Sequence, residues 1–264
     1  MPFQYKIVLL IGATSGIGAA MADRLVHEGS KVIAVGRRQD RLDAFVKKHG
    51  QDKAAGIAFD ITDRANTDSF AKKVTQQYPD LDCVFLNSAV QSPIDFTQSP
   101  KEATKNFLSE ININFISTVE VAMAFLPFLQ QKKSETSIIF TGTHLALAPA
   151  TAMPAYSSSK AALNSFIMCL REQLQYAKSS VKVVEIWPPL VQTELHDYLG
   201  EERGRAMGMP VDQFTDEAYI ALAAGREHII VGTLAGTSKE AFDEISAQRD
   251  RVFDRVTKIL RSVH

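Results

Sequence analysis

The chain has 264 residues, and its 29 lysine and arginine residues nearly balance its 30 aspartate and glutamate residues, for a formal net charge of -1. A dedicated nucleic-acid-binding protein carries a basic excess or stripe, so this balance predicts no nucleic-acid partner. Hydrophobic residues make up 45% of the chain and charged residues 22%, a composition typical of globular rather than disordered proteins. The length allows one large domain or two small ones.

The cysteines and the apolar runs indicate where the protein resides. Cys83 and Cys169 both lie in apolar segments, which predicts two buried core thiols and a reducing compartment. No cysteine–histidine group has the spacing of a zinc site, so we expect no metal. The apolar run from Ile7 to Ile11 is too short for a membrane span or a signal sequence. We therefore expect a cytoplasmic protein with no membrane partner.

Apolar runs alternate with longer amphipathic stretches along the chain. In chain order, the predicted elements are strand 6–12, helix 17–29, strand 31–36, helix 38–50, strand 54–62, helix 63–79, strand 81–89, helix 101–130, strand 137–143, helix 154–177, strand 181–189, strand 228–233 and helix 237–261. Strands rich in Val, Ile and Leu that alternate with helices indicate a parallel sheet covered on both faces. We predict an α/β fold, a doubly wound parallel sheet with helices on both faces (Rossmann-type), as a single domain over residues 1–264.

Three features interrupt this regular pattern. Pro127 is predicted to bend or end the helix at 101–130. Residues 194–228 are rich in charge and glycine without a clear strand, and we expect them to cover the substrate. In the terminal helix at 237–261, apolar residues recur on one face and predict a structural stripe. The stripe residues are Ile245, Val252, Val256 and Ile259.

A glycine-rich loop joins the first predicted strand to the first predicted helix. Its sequence is Gly12-Ala13-Thr14-Ser15-Gly16-Ile17-Gly18. In such a loop the first glycine permits a tight turn, the second lets the backbone approach a pyrophosphate, and the third lets helix and strand pack closely. The helix N-terminus then presents unpaired N–H groups to phosphate. An ordinary glycine-rich turn is the alternative, but the position directly after a strand favours dinucleotide binding.

The second predicted strand ends at Gly36-Arg37-Arg38. An NAD enzyme usually has Asp or Glu here to accept a hydrogen bond from the ribose 2′-hydroxyl. A permanently charged guanidinium instead suits the 2′-phosphate of NADP, which it can bind through two hydrogen bonds. The missing acid favours this interpretation over two solvated surface arginines, so we predict NADP(H).

Tyr156 and Lys160 lie four residues apart at the start of a predicted helix and therefore share one face. A phenol has an ordinary pKa near 10, and a neighbouring ammonium favours the phenolate and lowers that pKa. Carbonyl reduction needs such a group to donate a proton to the developing alkoxide. On its own the spacing is common on helices and usually describes two surface residues.

These motifs occur with several others in an order that resembles the short-chain dehydrogenase/reductase family. The matching segments are GATSGIG (12–18), FDIT (59–62), LNSA (86–89), ININF (111–115), TGT (141–143), AYSSSKAAL (155–163) and IWPPLVQTEL (186–195). Within the family, the segments GRRQDRL, FTGTHLALAP and PPLVQTEL are similar to the DltE-like branch.

The resemblance implies four catalytic residues. Tyr156 would be the general acid in reduction or the base in oxidation, and Lys160 would lower its pKa and hold the nicotinamide ribose. Thr143, which replaces the family's usual serine, would hold the substrate oxygen. Asn114 would keep a proton relay to Lys160 in place, and Asn112 is the competing candidate for this role.

The cofactor-binding residues predicted from the loop, the arginines and the resemblance lie near the ends of the predicted strands. They are Gly12, Thr14, Ser15, Gly16, Ile17, Gly18, Arg37, Arg38, Asp60, Ile61, Asn87, Ala89, Tyr156, Lys160, Pro188, Val191 and Thr193. Asp60 and Ile61 would flank the adenine, and Thr193 would lie near the carboxamide.

The predicted function is NADP(H)-dependent transfer of a hydride between the nicotinamide and a carbonyl or secondary alcohol carbon of a small molecule, as in a carbonyl reductase. Two alternatives stay open: another NADP-linked step such as C=C reduction or epimerisation, and an NADP-binding sensor without turnover. The sensor stays open because five positions depart from the family pattern, namely Ile11, Ser88, Val90, Thr143 and Pro189. The resemblance also implies a homo-dimer or homo-tetramer.

Overall fold

The computed structural model describes residues 5–234 and 236–262. The strands within these residues are β1 (Ile7–Ile11), β2 (Lys31–Gly36), β3 (Ala54–Ala58), β4 (Cys83–Leu86), β5 (Thr136–Thr141), β6 (Val181–Trp187) and β7 (His228–Ile230). The α-helices are α1 (Gly16–His27), α2 (Gln39–His49), α3 (Thr67–Gln77), α4 (Pro100–Ile111), α5 (Thr118–Gln130), α6 (Pro154–Tyr176), α7 (Glu201–Ala206), α8 (Val211–Ala223) and α9 (Lys239–Arg261). Each predicted strand overlaps an observed one.

The described strands form one sheet in the order β3-β2-β1-β4-β5-β6-β7. Every neighbouring pair is parallel. The order reverses between β1 and β4, and the loops that leave these two strands part to opposite faces of the sheet. In doubly wound sheets this switch point opens the crevice that binds the ligand. The predicted doubly wound, Rossmann-type fold is confirmed.

Alternate residues of the strands enter two separate hydrophobic cores. In β1, Leu9 and Ile11 belong to one core, and Val8 and Leu10 belong to the other, because successive side chains of a strand point to opposite faces. The first core includes side chains of α3, α5 and α6, and the second includes side chains of α1, α2 and α8. The two covered faces explain why the strands are apolar throughout.

Helix α4 continues into α5 through a π-helical segment, Asn112–Ser117. Such a segment inserts an extra residue into the helical turn and often lies at a functional site. Pro127 lies inside α5, which runs on to Gln130, so the helix does not end at this proline. The stretch Pro100–Gln130 is long and apolar enough to cross a membrane by length and composition, but its apolar face contributes to the first core.

The segment predicted to cover the substrate is largely helical. It contains a short 3₁₀ helix, Glu194–Leu199, followed by α7 and α8. In α8, Phe214, Ala218 and Leu222 belong to the second core. This contribution of the segment to the core was not predicted from the sequence. A covering role for this segment stays a prediction.

One prediction about burial is wrong. Cys83 is buried, but Cys169 is exposed, because it lies on the outer face of α6 between the buried Met168 and Leu170. In α9, the side chains of the predicted apolar stripe are exposed by 48% to 64%, and a structural role for this stripe stays a prediction. The described residues divide into two compact units, one ending at Val231 and one beginning at Gly232, and α9 lies in the second. The prediction of a single domain over the whole chain stays untested.

Candidate active site

The glycine loop lies between the carboxyl end of β1 and the start of α1, at the switch point. Gly12 has φ +86°, and a Cβ on it would lie 2.7 Å from the Ser88 backbone nitrogen. A Cβ on Gly18 would lie 2.0 Å from the Gly12 carbonyl oxygen. Side chains at these positions would fill the loop, so the backbone forms a cradle that fits a pyrophosphate at the N-terminus of α1.

Asn87 joins this loop to the neighbouring strands. Its Nδ2 donates to the Gly12 carbonyl at 3.2 Å, and its Oδ1 accepts from the Thr141 hydroxyl at 2.9 Å. The Thr141 carbonyl in turn accepts from Lys160 Nζ at 2.7 Å. A chain of hydrogen bonds therefore runs from the glycine loop to the predicted catalytic lysine.

The end of β2 has no room for an acidic side chain. A Cβ on Gly36 would lie 2.5 Å from Thr14 Cγ2. Arg38 instead covers the loop, because its Nε and Nη2 donate to Thr14 Oγ1 at 3.1 and 2.9 Å, and it also contacts Ser15. The Arg37 side chain is 68% exposed and lies 3.8 Å from the Asp60 carboxylate.

Arg41 belongs to the same cluster, and sequence reasoning missed it. Its Nη1 donates to the Thr14 carbonyl at 2.9 Å and to Glu194 Oε1 at 2.7 Å. Glu194 also accepts from Arg38 at 3.2 Å. Partial burial alone would raise the pKa of Glu194, but the Arg41 and Arg38 guanidiniums hold it below its usual range. Arg41 lies one helical turn after Arg38, which is the signal that could have identified it.

The other predicted cofactor residues occupy two regions. Asp60 lies after β3, where its carboxylate accepts from the Thr62 backbone N–H at 3.0 Å. A Cβ on Gly16 would lie 3.0 Å from Thr193 Cβ. The structure therefore brings these two predicted cofactor residues together. The Ile61 side chain is buried in the first core and the Val191 side chain in the second. Only the backbone of these two residues is therefore left to contact a cofactor. Ala89 is half-buried and Pro188 is buried.

The predicted catalytic hydroxyls come together between β5 and α6. Thr143 follows β5, and its side chain lies close enough to Tyr156 to lower the pKa of that phenol, while Lys160 Nζ lies 5.8 Å from the Tyr156 ring centroid. Pro154 occupies the first turn of α6, where its missing N–H costs no helical hydrogen bond. The side chains of Thr143, Tyr156 and Lys160 are buried, so their interactions are weakly screened by water.

Burial dominates the proton affinities of this group. Burial raises the pKa of Tyr156, the negative charge of Glu110 raises it further, and the hydrogen bond from Thr143 opposes them. This raised pKa follows from burial and Glu110, and a lowering of the Tyr156 pKa by Lys160 stays a prediction. Burial lowers the pKa of Lys160 to about 8, and the charge of Glu185 opposes this change. The phenol is protonated at neutral pH.

Asn114 is fully buried in the π-helical segment. Its Oδ1 accepts from the Val90 N–H at 2.8 Å, and its Nδ2 donates to the Val90 carbonyl at 2.8 Å and to Ser159 Oγ at 3.2 Å. Ser159 Oγ donates to the Tyr156 carbonyl at 2.8 Å. Asn114 thus ties the loop after β4 to α6, whereas Asn112 is only half-buried.

Two further buried residues border the site, and sequence reasoning assigned neither. The Glu185 carboxylate, on β6, accepts from Asn164 Nδ2 at 2.8 Å. His144 lies 2.9 Å from the Pro188 carbonyl through its Nδ1 and so fixes the loop that carries Pro188. A carboxylate inside an apolar strand was the available signal for Glu185.

A doubly wound sheet with a glycine cradle at its switch point and a buried Tyr–Lys pair beside it defines a nicotinamide dinucleotide-binding oxidoreductase. The family described as short chain dehydrogenase matches residues 6–204. The chain belongs to the short-chain dehydrogenase family, which confirms the resemblance predicted from the motifs.

Relatives extend over most of the chain. It is 30% identical over 257 residues to the uncharacterized oxidoreductase DltE of Bacillus subtilis, which covers 97% of this chain and 98% of that protein. It is 32% identical over 188 residues to a serine 3-dehydrogenase of Agrobacterium fabrum, covering 71% of this chain and 72% of that one. A crystal structure of a short chain dehydrogenase/reductase from Burkholderia phymatum in complex with NAD has a TM-score of 0.78 at 18% identity, over 87% of this chain and 90% of that chain.

Proposed function

We propose that this protein is an NADP(H)-dependent oxidoreductase of the carbonyl reductase type, which transfers a hydride between the nicotinamide and a carbonyl or secondary alcohol carbon of a small molecule. The observation that carries this proposal is the buried hydroxyl pair of Thr143 and Tyr156. Lys160 lies one helical turn from Tyr156, and hydrogen bonds connect it through Thr141 to the glycine loop. This arrangement supports the proposal of a proton donor near a cradle for a dinucleotide.

Each catalytic side chain has a task in carbonyl reduction. The Thr143 and Tyr156 hydroxyls would hold the carbonyl oxygen, and Tyr156 would donate its proton as negative charge develops there. The raised pKa of Tyr156 keeps the phenol protonated, which suits an acid in the direction of reduction. Lys160, with a pKa of about 8, would be mainly charged at neutral pH and would favour loss of the phenolic proton. A nicotinamide dinucleotide, when bound, supplies the hydride.

The remaining predicted residues would hold the cofactor in three regions. The glycine loop (12–18) would bind the pyrophosphate. Asp60, Ile61, Asn87 and Ala89 would lie on the adenosine side, and Pro188, Val191 and Thr193 would lie on the nicotinamide side. Asn114 would hold the loop after β4 against α6 so that Tyr156 and Lys160 keep their positions.

The preference for NADP(H) is supported by charge and by space at the end of β2. The position where an NAD enzyme has its acid is Gly36, and the Thr14 side chain closes it. Arg38 and Arg41 together bind the Glu194 carboxylate, so the guanidiniums already form an anion site beside the loop. A 2′-phosphate is an anion that such a site suits.

The proposal is tested by mixing the purified protein with NADPH and a panel of ketones, aldehydes and quinones. We expect consumption of NADPH, followed by its absorbance, with at least one carbonyl compound and with an alcohol as product. Tight NADPH binding without oxidation by any member of the panel would contradict the proposal and would favour a sensor. Consumption without an alcohol product would indicate C=C reduction.

Replacement of Arg38 by alanine is expected to weaken NADPH binding by about 10–100-fold, because a charge-assisted hydrogen bond contributes about 1.5–3 kcal/mol. The affinity for NADH should change little, because NADH lacks the 2′-phosphate. Titration of both cofactors by fluorescence or calorimetry measures the two dissociation constants. Arg37→Ala, measured in the same way, apportions the effect between the adjacent guanidiniums.

The matched control for this experiment is Lys48→Ala. Lys48 is an exposed cation on α2, the helix that begins directly after Arg38, and it pairs with Asp23 at 2.7 Å. The Lys48→Ala substitution should leave the affinities for NADPH and NADH unchanged. If Arg37→Ala and Arg38→Ala each retain the original NADPH affinity, the NADP assignment is wrong.

Location and assembly complete the proposal. The protein is proposed to be cytoplasmic and to form a homo-dimer or homo-tetramer through the helices at 101–130 and 154–177. Leu108 and Tyr176 are exposed on these helices, and apolar exposure of this kind is compatible with an interface.

A further inference from the structure

Glu110 is a buried carboxylate, and one of its two oxygens has no hydrogen-bond partner among the described residues. It lies at the end of α4 and is 3% exposed. Its Oε2 accepts from the Ser92 hydroxyl at 2.9 Å, whereas its Oε1 is buried without a hydrogen-bond partner among the described residues. Buried polar atoms are nearly always paired, and an exception indicates a place where a ligand or water completes the bonding.

Helical spacing places this carboxylate against the start of α6. Ala103, Phe107, Glu110 and Asn114 follow one another at intervals of three and four residues and therefore share a face. Ala103 and Phe107 pack with Ala155, the residue before Tyr156. Asn114, at the other end of this face, bonds to Ser159 on the same turn of α6. Glu110 lies between these two contacts.

Two phenols lie within electrostatic range of Glu110, because its negative charge raises the pKa of Tyr156 and also that of Tyr198. Tyr198 Oη accepts from Gln91 Nε2 at 3.0 Å, and Gln91 is the neighbour of Ser92. The loop after β4, the start of α6 and the 3₁₀ helix of Tyr198 thus converge on one polar corner beside the proposed proton donor.

We propose that Glu110 binds substrate by accepting a hydrogen bond from a hydroxyl or protonated amine on the carbon next to the reacting carbonyl. The substrate class is therefore α-hydroxy and α-amino carbonyl compounds. The inference rests on the proposed function, since Tyr156 and Thr143 must hold the carbonyl oxygen for the neighbouring substituent to reach this corner. A ketone without a donor would leave Oε1 unpaired, and a site built to pair a substrate donor discriminates strongly against analogues that lack it.

The test compares kcat/KM for NADPH-dependent reduction of hydroxyacetone, aminoacetone, methoxyacetone and butanone. Methoxyacetone keeps the electron-withdrawing oxygen of hydroxyacetone but has no donor. We expect the wild-type protein to prefer hydroxyacetone over methoxyacetone by at least about 10²-fold. Glu110→Met should reduce this ratio by at least about 10-fold. Glu110→Gln should retain part of the preference for the hydroxyl and lose the preference for the ammonium.

The ratio of two substrates within one variant cancels general losses of folding or turnover. Glu102→Gln, on the exposed side of the same helix, is the matched control and should keep the wild-type ratio. Similar kcat/KM values for hydroxyacetone and methoxyacetone in the wild-type protein would overturn the inference, whether or not the Glu110 variants fold. An unchanged ratio in Glu110→Met would assign Glu110 only to holding Ser92. In either case, reduction of any ketone leaves the proposed function intact.

Discussion

Replacement of Tyr156 by phenylalanine is expected to lower kcat by about 10²–10⁴-fold, the usual contribution of general acid–base catalysis. The substitution removes the hydroxyl that Thr143 contacts and keeps the aromatic ring that fills the start of α6. Cofactor affinity should therefore stay within a few-fold of the wild type. Steady-state turnover with the best carbonyl substrate, together with NADPH titration, measures both quantities.

Tyr176→Phe is the matched control for this prediction. Tyr176 ends the same helix and is 73% exposed, so loss of its hydroxyl should leave kcat unchanged. Near wild-type turnover by the Tyr156 variant would remove Tyr156 from the role of proton donor. Loss of NADPH binding in parallel with turnover would instead show that the hydroxyl acts on the cofactor.

The second largest loss of kcat is expected when the Thr143 hydroxyl is removed. Thr143→Val keeps the shape of the side chain and should lower kcat by about 10²–10³-fold, as does the loss of one donor to a developing oxyanion. Thr143→Ser keeps the hydroxyl and should retain most of the activity. The same oxygen accepts from the Leu145 N–H at 3.3 Å, so the Val variant should also lose about 1 kcal/mol of stability.

Kinetics and thermal denaturation separate the two functions of this hydroxyl. A Thr143→Val variant that melts earlier but retains its turnover would show that the hydroxyl caps the short helix at His144–Ala146 and takes no part in catalysis. Loss of activity in the Ser variant with retention in the Val variant would indicate that the methyl group, rather than the hydroxyl, determines activity.

The features predicted from local sequence are those with local causes. The sheet follows from Val- and Ile-rich runs between helical segments, and Gly12 and Gly18 could be assigned because a tight turn and close packing admit no side chain there. Tyr156 and Lys160 share a face by helical spacing alone. The branch predicted from short segments agrees with a relative that matches 97% of the chain.

Other features depend on which surfaces meet. Cys169 was predicted to be buried, but an apolar segment of sequence does not show which of its residues the rest of the fold covers. The pKa of Tyr156 follows from burial and from Glu110, which is distant in sequence. Arg41 acts on Thr14 and Glu194 only because α2 packs beside the glycine loop.

The sequence by itself determined the doubly wound fold, the dinucleotide cradle and the Tyr–Lys pair, because each is encoded by residues close together in the chain. The near-zero net charge predicted no basic nucleic-acid surface, and it concealed the arginine cluster beside the loop. Only the tertiary structure brought Glu110 within electrostatic range of Tyr156, through the packing of α4 on α6. Proton affinity and substrate contacts depend on such distant neighbours, because burial and low local polarity determine how strongly charges interact.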